Sequence, residues 1–144
     1  MRLILNTILI RMKYTFLVLL SSVLLFSCGE NRQRPDDALG TAREFIRSSL
    51  DGEYDWAREL MYQDSVNLFE LEQIEKKYDA EMSEADKQGY KNASILIHSV
   101  ENVNDSVVII NYSNSYKNKK MPVRVIKKDG LWQVDFNYTF SGNL

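Results

Sequence analysis

The chain offers few side chains for the usual chemistry of catalysis or metal binding. It has 144 residues, with one cysteine, Cys28, and one histidine, His98. One cysteine excludes an internal disulfide and a cysteine-rich metal site, and one histidine excludes a metal site built from several histidines. The sequence therefore predicts neither a bound metal nor a cofactor.

Three titratable side chains are candidates for an acid or a base, and the local pattern accounts for each without catalysis. Histidine titrates near neutral pH, but alternation with Ile95 and Ile97 predicts that His98 faces solvent. Asp64 precedes a helical stretch and is predicted to cap it, and Asp135 falls on the polar side of a strand. No phosphate-binding loop, nucleophile elbow or metal-ligand spacing is present in the sequence. We therefore expect a domain that performs no chemistry.

The cysteine follows an apolar run typical of a targeting segment. Residues 14–26 carry no charge and come directly after Met12 and Lys13. A helix needs about 20 residues to cross a bilayer, so this run fits the apolar core of a signal peptide better. The compact basic start at Lys13 predicts that translation begins at Met12 rather than at Met1.

The four residues that end at Cys28, L-F-S-C, resemble the lipobox of bacterial lipoproteins. This resemblance implies that residues 1–27 are removed, that Cys28 carries acyl chains such as palmitate, and that residues 28–35 tether a domain to a membrane of the cell envelope. Several acyl chains give durable attachment where one gives only marginal binding. The residue after the cysteine is Gly29 and not the aspartate that commonly signals retention in the inner membrane, which favours the outer membrane. The alternatives are an ordinary signal peptide with a chance cysteine, or a short membrane anchor.

The apolar pattern after the tether predicts helices followed by strands. Helices are expected from Asp36 or Asp37 to Leu50, over 54–61, from Asp64 to Met82, and for a further turn from Ser83 to Tyr90. Strands are expected over 93–103, 106–113, 121–127 and 131–138, with hairpin turns at Asn104-Asp105 and Asp129-Gly130. Helices before an antiparallel meander predict one α+β domain over residues 36–144, with N-terminal helices packed on a curved antiparallel sheet of about four strands.

Two stretches resemble cone-shaped domains of the nuclear-transport-factor-2-like, or cystatin-like, superfamily. They are the segment from Ala42 to Ala57 and the closing V-I-K-K-D-G-L-W-Q-V-D from Val125 to Asp135. The resemblance implies a pocket between the helices and the concave face of the sheet. It implies no particular activity, because this scaffold hosts isomerases, dehydratases, binding modules and adaptors. The aromatic side chains expected to line the pocket, unless they are simply core, are Trp56, Tyr62, Phe69, Tyr90, Trp132, Phe136 and Tyr138.

Charge is divided between the two halves of the chain. Residues 28–90 contain 16 acidic and 8 basic residues, whereas residues 91–144 contain 4 acidic and 7 basic residues. An overall charge of −2 argues against a dedicated nucleic-acid binder. Six basic residues of the second half are expected to form either a patch for an anionic partner or lipid headgroups, or a solvated outer face that protects the sheet from edge pairing. They are Lys117, Lys119, Lys120, Arg124, Lys127 and Lys128.

Together these features predict a membrane-anchored envelope lipoprotein whose single domain binds a protein or a small ligand without catalysis. One alternative is a small enzyme of the isomerase or hydrolase type that uses the pocket. A second alternative is a structural domain that dimerises through its sheet. The sequence leaves the ligand, the oligomeric state and the biological process open.

Overall fold

The computed structural model describes residues 32–140, and side chains as far as Tyr138. The described elements are α1 (Ala38–Asp51), α2 (Tyr54–Leu60), α3 (Ser65–Glu81), α4 (Glu84–Lys91), β1 (Ile95–Asn104), β2 (Val107–Asn114), β3 (Met121–Lys128), β4 (Leu131–Asp135) and α5 (Asn137–Phe140). Four helices thus precede a curved, open, antiparallel sheet, and the predicted α+β fold class is confirmed. The predicted signal peptide and Cys28 lie outside the described residues.

The sheet is a simple meander in which each strand pairs with the next, in the order β1-β2-β3-β4. The turn between β3 and β4 uses Asp129 and Gly130, with φ of 53° and 80°. Two successive residues with positive φ suit the tight turn that matches strand twist, as the sequence predicts. The first hairpin turn lies one residue later than predicted, because Asn104 still pairs with Val107 across the turn.

The helices cover one face of the sheet, and α1 lies against β3 and β4. The buried side of α1 carries Ala42, Phe45 and Ile46, and the Phe45 ring packs against Phe136 with a centroid distance of 5.3 Å. The sheet contributes alternate residues of its strands, such as Ile110 and Val125, both fully buried. This alternation is expected of an antiparallel sheet that faces a core on one side.

Polar side chains fix the starts of the helices. The carboxylate of Asp37 accepts a hydrogen bond from the Gly40 amide, and the carboxylate of Asp64 accepts from the amides of Val66 and Asn67. These contacts satisfy backbone donors that a helix start leaves without an intrahelical partner. The capping roles predicted for Asp64 and for the Asp36-Asp37 pair are thereby confirmed, the second at Asp37.

The last strand is shorter than predicted. β4 ends at Asp135 rather than at residue 138, and the chain turns into α5. The Asn137 amide donates to Oδ1 of Asn67 on α3 at 2.7 Å, so it takes part in a contact with a helix instead of a ladder. Tyr138 therefore does not share a strand face with Trp132, which corrects the prediction.

The folded unit begins at Arg34, two residues earlier than predicted. Its guanidinium donates from Nη1 to the Glu59 carbonyl at 2.6 Å and from Nη2 to the Trp132 carbonyl at 2.8 Å. Burial lowers the pKa of Arg34, although the negative charge of Glu59 raises it in part. The described residues from Arg34 to residue 140 belong to one compact unit, which includes the core and the whole sheet of the described chain. A fragment that starts at Gly29 therefore retains a complete domain.

Within residues 32–140, no helix combines the length and the apolar composition that crossing a bilayer requires.

Candidate functional site

A cavity of about 670 Å³ lies between the helices and the strands β2 and β3. This volume is within the range of about 300–1,000 Å³ that is usual for small-molecule sites. We call it the tyrosine-lined cavity, and its lining residues are Phe45, Ile46, Ser49, Leu50, Tyr54, Ile74, Lys77, Tyr78, Met82, Tyr90, Tyr112, Asn114, Lys117, Lys119, Met121 and Phe136.

Four tyrosines give the cavity most of its polar character. Tyr54, Tyr78 and Tyr112 are buried and Tyr90 is half-buried. Buried tyrosine hydroxyls usually have a hydrogen-bond partner, yet none of these four has one among the described residues. The lining residues therefore include four tyrosines whose hydroxyls have no hydrogen-bond partner among the described residues.

The hydroxyls of Tyr54 and Tyr112 stay neutral over the physiological pH range. Burial raises the pKa of both groups, and nearby Tyr78 and acidic side chains raise that of Tyr54 further. A neutral hydroxyl can both donate and accept a hydrogen bond. These two groups are thus suited to recognition rather than to acid–base chemistry near neutral pH.

Three lysines line the cavity near its surface, and they differ in their contacts. The Lys117 ammonium is in an ion pair with Asp86, with Nζ 3.1 Å from Oδ1. Lys77 and Lys119 make no ion pair with any described residue. No aspartate or glutamate is among the lining residues. Lys77 and Lys119 therefore bring unpaired ammonium groups to the lining, while the acidic side chains of Glu75 and Asp79 lie near enough to Tyr54 to raise its pKa.

The loop between β2 and β3 is held against α4. Oδ1 of Asn114 accepts hydrogen bonds from the amides of Tyr116 and Lys117, at 3.1 and 2.9 Å. The Tyr116 hydroxyl donates to Asp86 at 2.8 Å. Hydrogen bonds from Ser83, Tyr116 and Lys117 lower the pKa of Asp86 to about 2, so it stays ionised. Asp86 thereby fixes the loop that carries Lys117 and Lys119.

The structure brings only part of the predicted aromatic pocket together. Tyr90 and Phe136 line the tyrosine-lined cavity, whereas Trp132 lines a second cavity of about 480 Å³. The other four predicted residues line neither of these cavities. They are Trp56, Tyr62, Phe69 and Tyr138.

For three of these four aromatic residues, local contacts or helix geometry explain why they do not line the cavity. Phe69 is 57% exposed because it comes one residue after Leu68, and successive residues of a helix point about 100° apart. The ring of Tyr62 contacts the Lys128 ammonium, and the ring of Tyr138 lies 5.6 Å from the Arg124 guanidinium. These two rings hold cations instead of lining the cavity.

The second cavity lies beside the start of α1 and the first hairpin. Its polar lining includes Asp36, Asp37 and Asp105, with Trp132 on its apolar side. Asp37 is already engaged as the cap of α1. Nowhere in the described part of the chain do three histidine, cysteine, aspartate or glutamate residues lie close enough together to hold a metal ion.

The predicted basic residues do not form one patch. Lys117, Lys119 and Lys120 belong to the loop before β3, whereas Lys127 and Lys128 end that strand. At about 3.3 Å per residue, Lys120 and Lys127 are about 23 Å apart along the chain. Arg124, between them, is in an ion pair with Asp135 at 3.3 Å. Strand β3 therefore lies between the two groups of lysines.

The remaining candidates for acid–base chemistry lie away from the lining of both cavities. His98 is exposed at an irregularity of β1, and its Nε2 lies 2.9 Å from Oγ of Ser113. Asp64 caps α3 and Asp135 pairs with Arg124. Each of the three thus has a structural contact.

The sequence reasoning missed Tyr54, Tyr78 and Tyr112 as cavity residues. A signal was present, because Tyr78 belongs to the apolar stripe predicted for α3 and Tyr112 to the most β-prone run. A tyrosine at such a position buries its ring but carries a hydroxyl that needs a partner. The convergence of three elements on one cavity could not be read from the separate stripes.

Comparisons of this chain with protein-family models, with curated proteins and with solved structures give no match. The resemblance to the nuclear-transport-factor-2-like superfamily therefore stays a prediction.

Proposed function

We propose that this chain is a lipid-anchored envelope protein whose domain binds a small, largely apolar ligand in the tyrosine-lined cavity and performs no chemistry on it. The observation that carries the proposal is a cavity of about 670 Å³ whose lining is mostly apolar and aromatic and includes four tyrosines without a described hydrogen-bond partner. The predicted lipidation of Cys28 would hold this domain at the membrane.

The lining favours binding of an apolar body. The partly buried side chains of Ile74, Met82 and Met121 form an apolar wall of the cavity, packed against the core. Removing apolar surface from water contributes about 25 cal/mol per Å², so a ligand that covers this wall gains affinity without any charged contact. The tyrosine hydroxyls then select orientation through hydrogen bonds.

The lining does not favour catalysis. General acid–base catalysis needs a group that titrates near the working pH and can reach the substrate. The titratable lining residues are tyrosines and lysines, and neither a histidine nor a carboxylate is among them. The isomerase or hydrolase alternative would need such a group inside the cavity, so a binding role fits these residues better.

Binding can be tested with the neutral fluorophore N-phenyl-1-naphthylamine and the fragment of residues 29–144. We expect saturable binding of one probe per chain with a blue-shifted emission. Met82→Trp, at the rim of the cavity, should weaken probe binding about tenfold by filling the space. Phe69→Trp is the matched control, because Phe69 is exposed and lines neither cavity. Equal binding by both variants, or no saturable binding by the wild type, would refute the proposal.

A further inference from the structure

We propose that the ligand of the tyrosine-lined cavity is a single-chain amphiphile with an anionic head group, with its apolar tail inside the cavity and its head between Lys77 and Lys119. This inference rests on the proposed binding function and adds the chemical class of the ligand.

The apolar part of the cavity fits a hydrocarbon tail. Phe45, Ile46 and Phe136 line the cavity as buried core side chains and leave little of their own surface open to it. Ile74, Met82 and Met121 are partly buried around the same space. Methionine is unbranched and adapts to irregular shapes, which suits a flexible chain.

The charge at the cavity fits an anionic head. Lys77 on α3 and Lys119 on the β2–β3 loop both line the cavity, are exposed, and form no ion pair with a described residue. The helical half of the chain carries twice as many acidic as basic residues, 16 against 8 from Cys28 to Tyr90. Lys77 nevertheless lies at the cavity without an acidic neighbour in the lining. The two ammonium groups without an ion-pair partner in the lining are complementary to an anion and unfavourable for a cation.

Lys117 has a different task from the other two lysines. Its ammonium is held by Asp86 and lies over the ring of Tyr116, 4.4 Å from the centroid. These contacts fix the loop on which Lys119 stands two residues later. Lys117 is therefore a positioning residue, and the head group is assigned to Lys77 and Lys119.

Carboxylate and phosphate heads share the chemistry that this site recognises. A lysine ammonium acts as a compact point charge and does not require the planar geometry that an arginine fork matches. The free hydroxyls of Tyr54 and Tyr112 can donate to further oxygens of either head. The site thus selects negative charge on an apolar chain.

Displacement of N-phenyl-1-naphthylamine from the fragment 29–144 tests the head group. The competitors are decanoate, decyl phosphate and the uncharged decanol, all below their aggregation concentrations. We expect at least one of the two anions to bind about tenfold more tightly than decanol at low salt, and the tighter anion identifies the head. Longer fatty acids should gain about fourfold per added methylene until the cavity is full.

Lysine substitutions locate the head group, and the chain supplies matched controls. Lys77→Ala and Lys119→Ala should each weaken anion binding about threefold, and the double variant should bind decanoate and decanol equally. Lys76→Ala and Lys120→Ala remove neighbouring lysines that do not line the cavity, so these variants should behave like the wild type.

The outcomes separate the two proposals. Equal affinity of the wild type for decanol and for both anions would overturn the anionic-amphiphile proposal while leaving ligand binding in the cavity intact. The same holds if Lys76→Ala weakens anion binding as much as Lys77→Ala. A lack of any saturable probe binding would instead refute the proposed function itself. Near-UV circular dichroism of each variant shows that the fold is retained.

Discussion

Two glycines adopt left-handed backbone but differ in what surrounds them. Gly52, with φ of 78°, ends α1, and a Cβ there would meet the Tyr78 ring at 2.6 Å. Gly130, with φ of 80°, has no neighbouring atom within 4 Å of such a Cβ. We expect Gly52→Ala to lower the free energy of unfolding by about 3 kcal/mol and Gly130→Ala by about 1 kcal/mol.

Urea denaturation of both variants measures this difference. Gly130→Ala is the control, because it carries the backbone penalty without the clash. Since Tyr78 lines the tyrosine-lined cavity, Gly52→Ala should also weaken binding of N-phenyl-1-naphthylamine. Equal destabilisation by the two substitutions would show that the Tyr78 contact contributes nothing.

Asp86 predicts how the β2–β3 loop responds to acid. Its pKa is lowered from the ordinary value of 3.8 to about 2 by hydrogen bonds from Ser83, Tyr116 and Lys117. A carboxylate with a depressed pKa in the folded state stabilises the fold above its unfolded pKa, and this contribution disappears as the pH falls through the folded pKa. The contribution should therefore be complete above about pH 4 and fade between about pH 4 and pH 2.

Carboxyl-carbon NMR titration of Asp86 checks this prediction. The wild type should show a midpoint near 2, and Tyr116→Phe should raise it toward 3.8 by removing one hydrogen bond. Asp79→Asn, an exposed change on α3, should leave the midpoint where it is. An Asp86 midpoint close to 4 in the wild type would contradict the loop contact.

At the scale of elements, Asn67 joins α3 to the segment after the last strand. It is 1% exposed, its Oδ1 accepts from the Asn137 amide, and its Nδ2 donates to Asp64 at 3.1 Å. Loss of a partner from a buried polar group costs about 1–3 kcal/mol. We expect Asn67→Ala to destabilise the domain by about 2 kcal/mol or more.

Thermal unfolding of Asn67→Ala and of Gln73→Ala compares the loss of a buried and of an exposed polar side chain on the same helix. Gln73 is exposed on α3, so its substitution should leave the melting temperature nearly unchanged. If Asn67→Ala is equally silent, the contact between α3 and α5 does not stabilise the fold.

The elements show which parts of the structure local patterns can predict. The apolar stripe of α3 and the caps at Asp64 and Ser83 were predictable because they depend on residues within one helix. The end of β4 was not, because it depends on Asn67, seventy residues before Asn137. The predicted pocket rests on the aromatic type of its residues alone, without knowledge of the face on which each side chain lies. Phe69 shows the limit of that assignment, since a shift of one residue on a helix moves a side chain to another face.

At the scale of the whole molecule, the division of charge along the chain must be compared with the charges that line the cavity. The sequence indicated acidic helices and a basic sheet half, and it predicted one basic patch on the strands. The structure instead places Lys117 and Lys119 of that set on the cavity lining and joins them there by Lys77, which the patch prediction did not include. The functional importance of a lysine thus depends on its neighbours across the fold, which the sequence pattern does not contain.

At the scale of the whole molecule, the predicted acylation of Cys28 would determine where the domain is held. Residues 29–33 separate this cysteine from Arg34, which is bound to the domain through the Glu59 and Trp132 carbonyls. Even a fully extended segment from Cys28 to Arg34 spans only about 20 Å. If Cys28 is acylated as the lipobox resemblance implies, the cavity therefore works close to lipid headgroups, where amphiphiles are concentrated.

We expect the full chain to enter the detergent phase on phase separation and Cys28→Ala to remain in the aqueous phase. Ser27→Ala, which keeps a small residue before the cysteine, is the matched control and should partition like the wild type. Detergent-phase partitioning of Cys28→Ala at the wild-type level would contradict lipid attachment through this residue, while ligand binding by the fragment 29–144 would be unaffected.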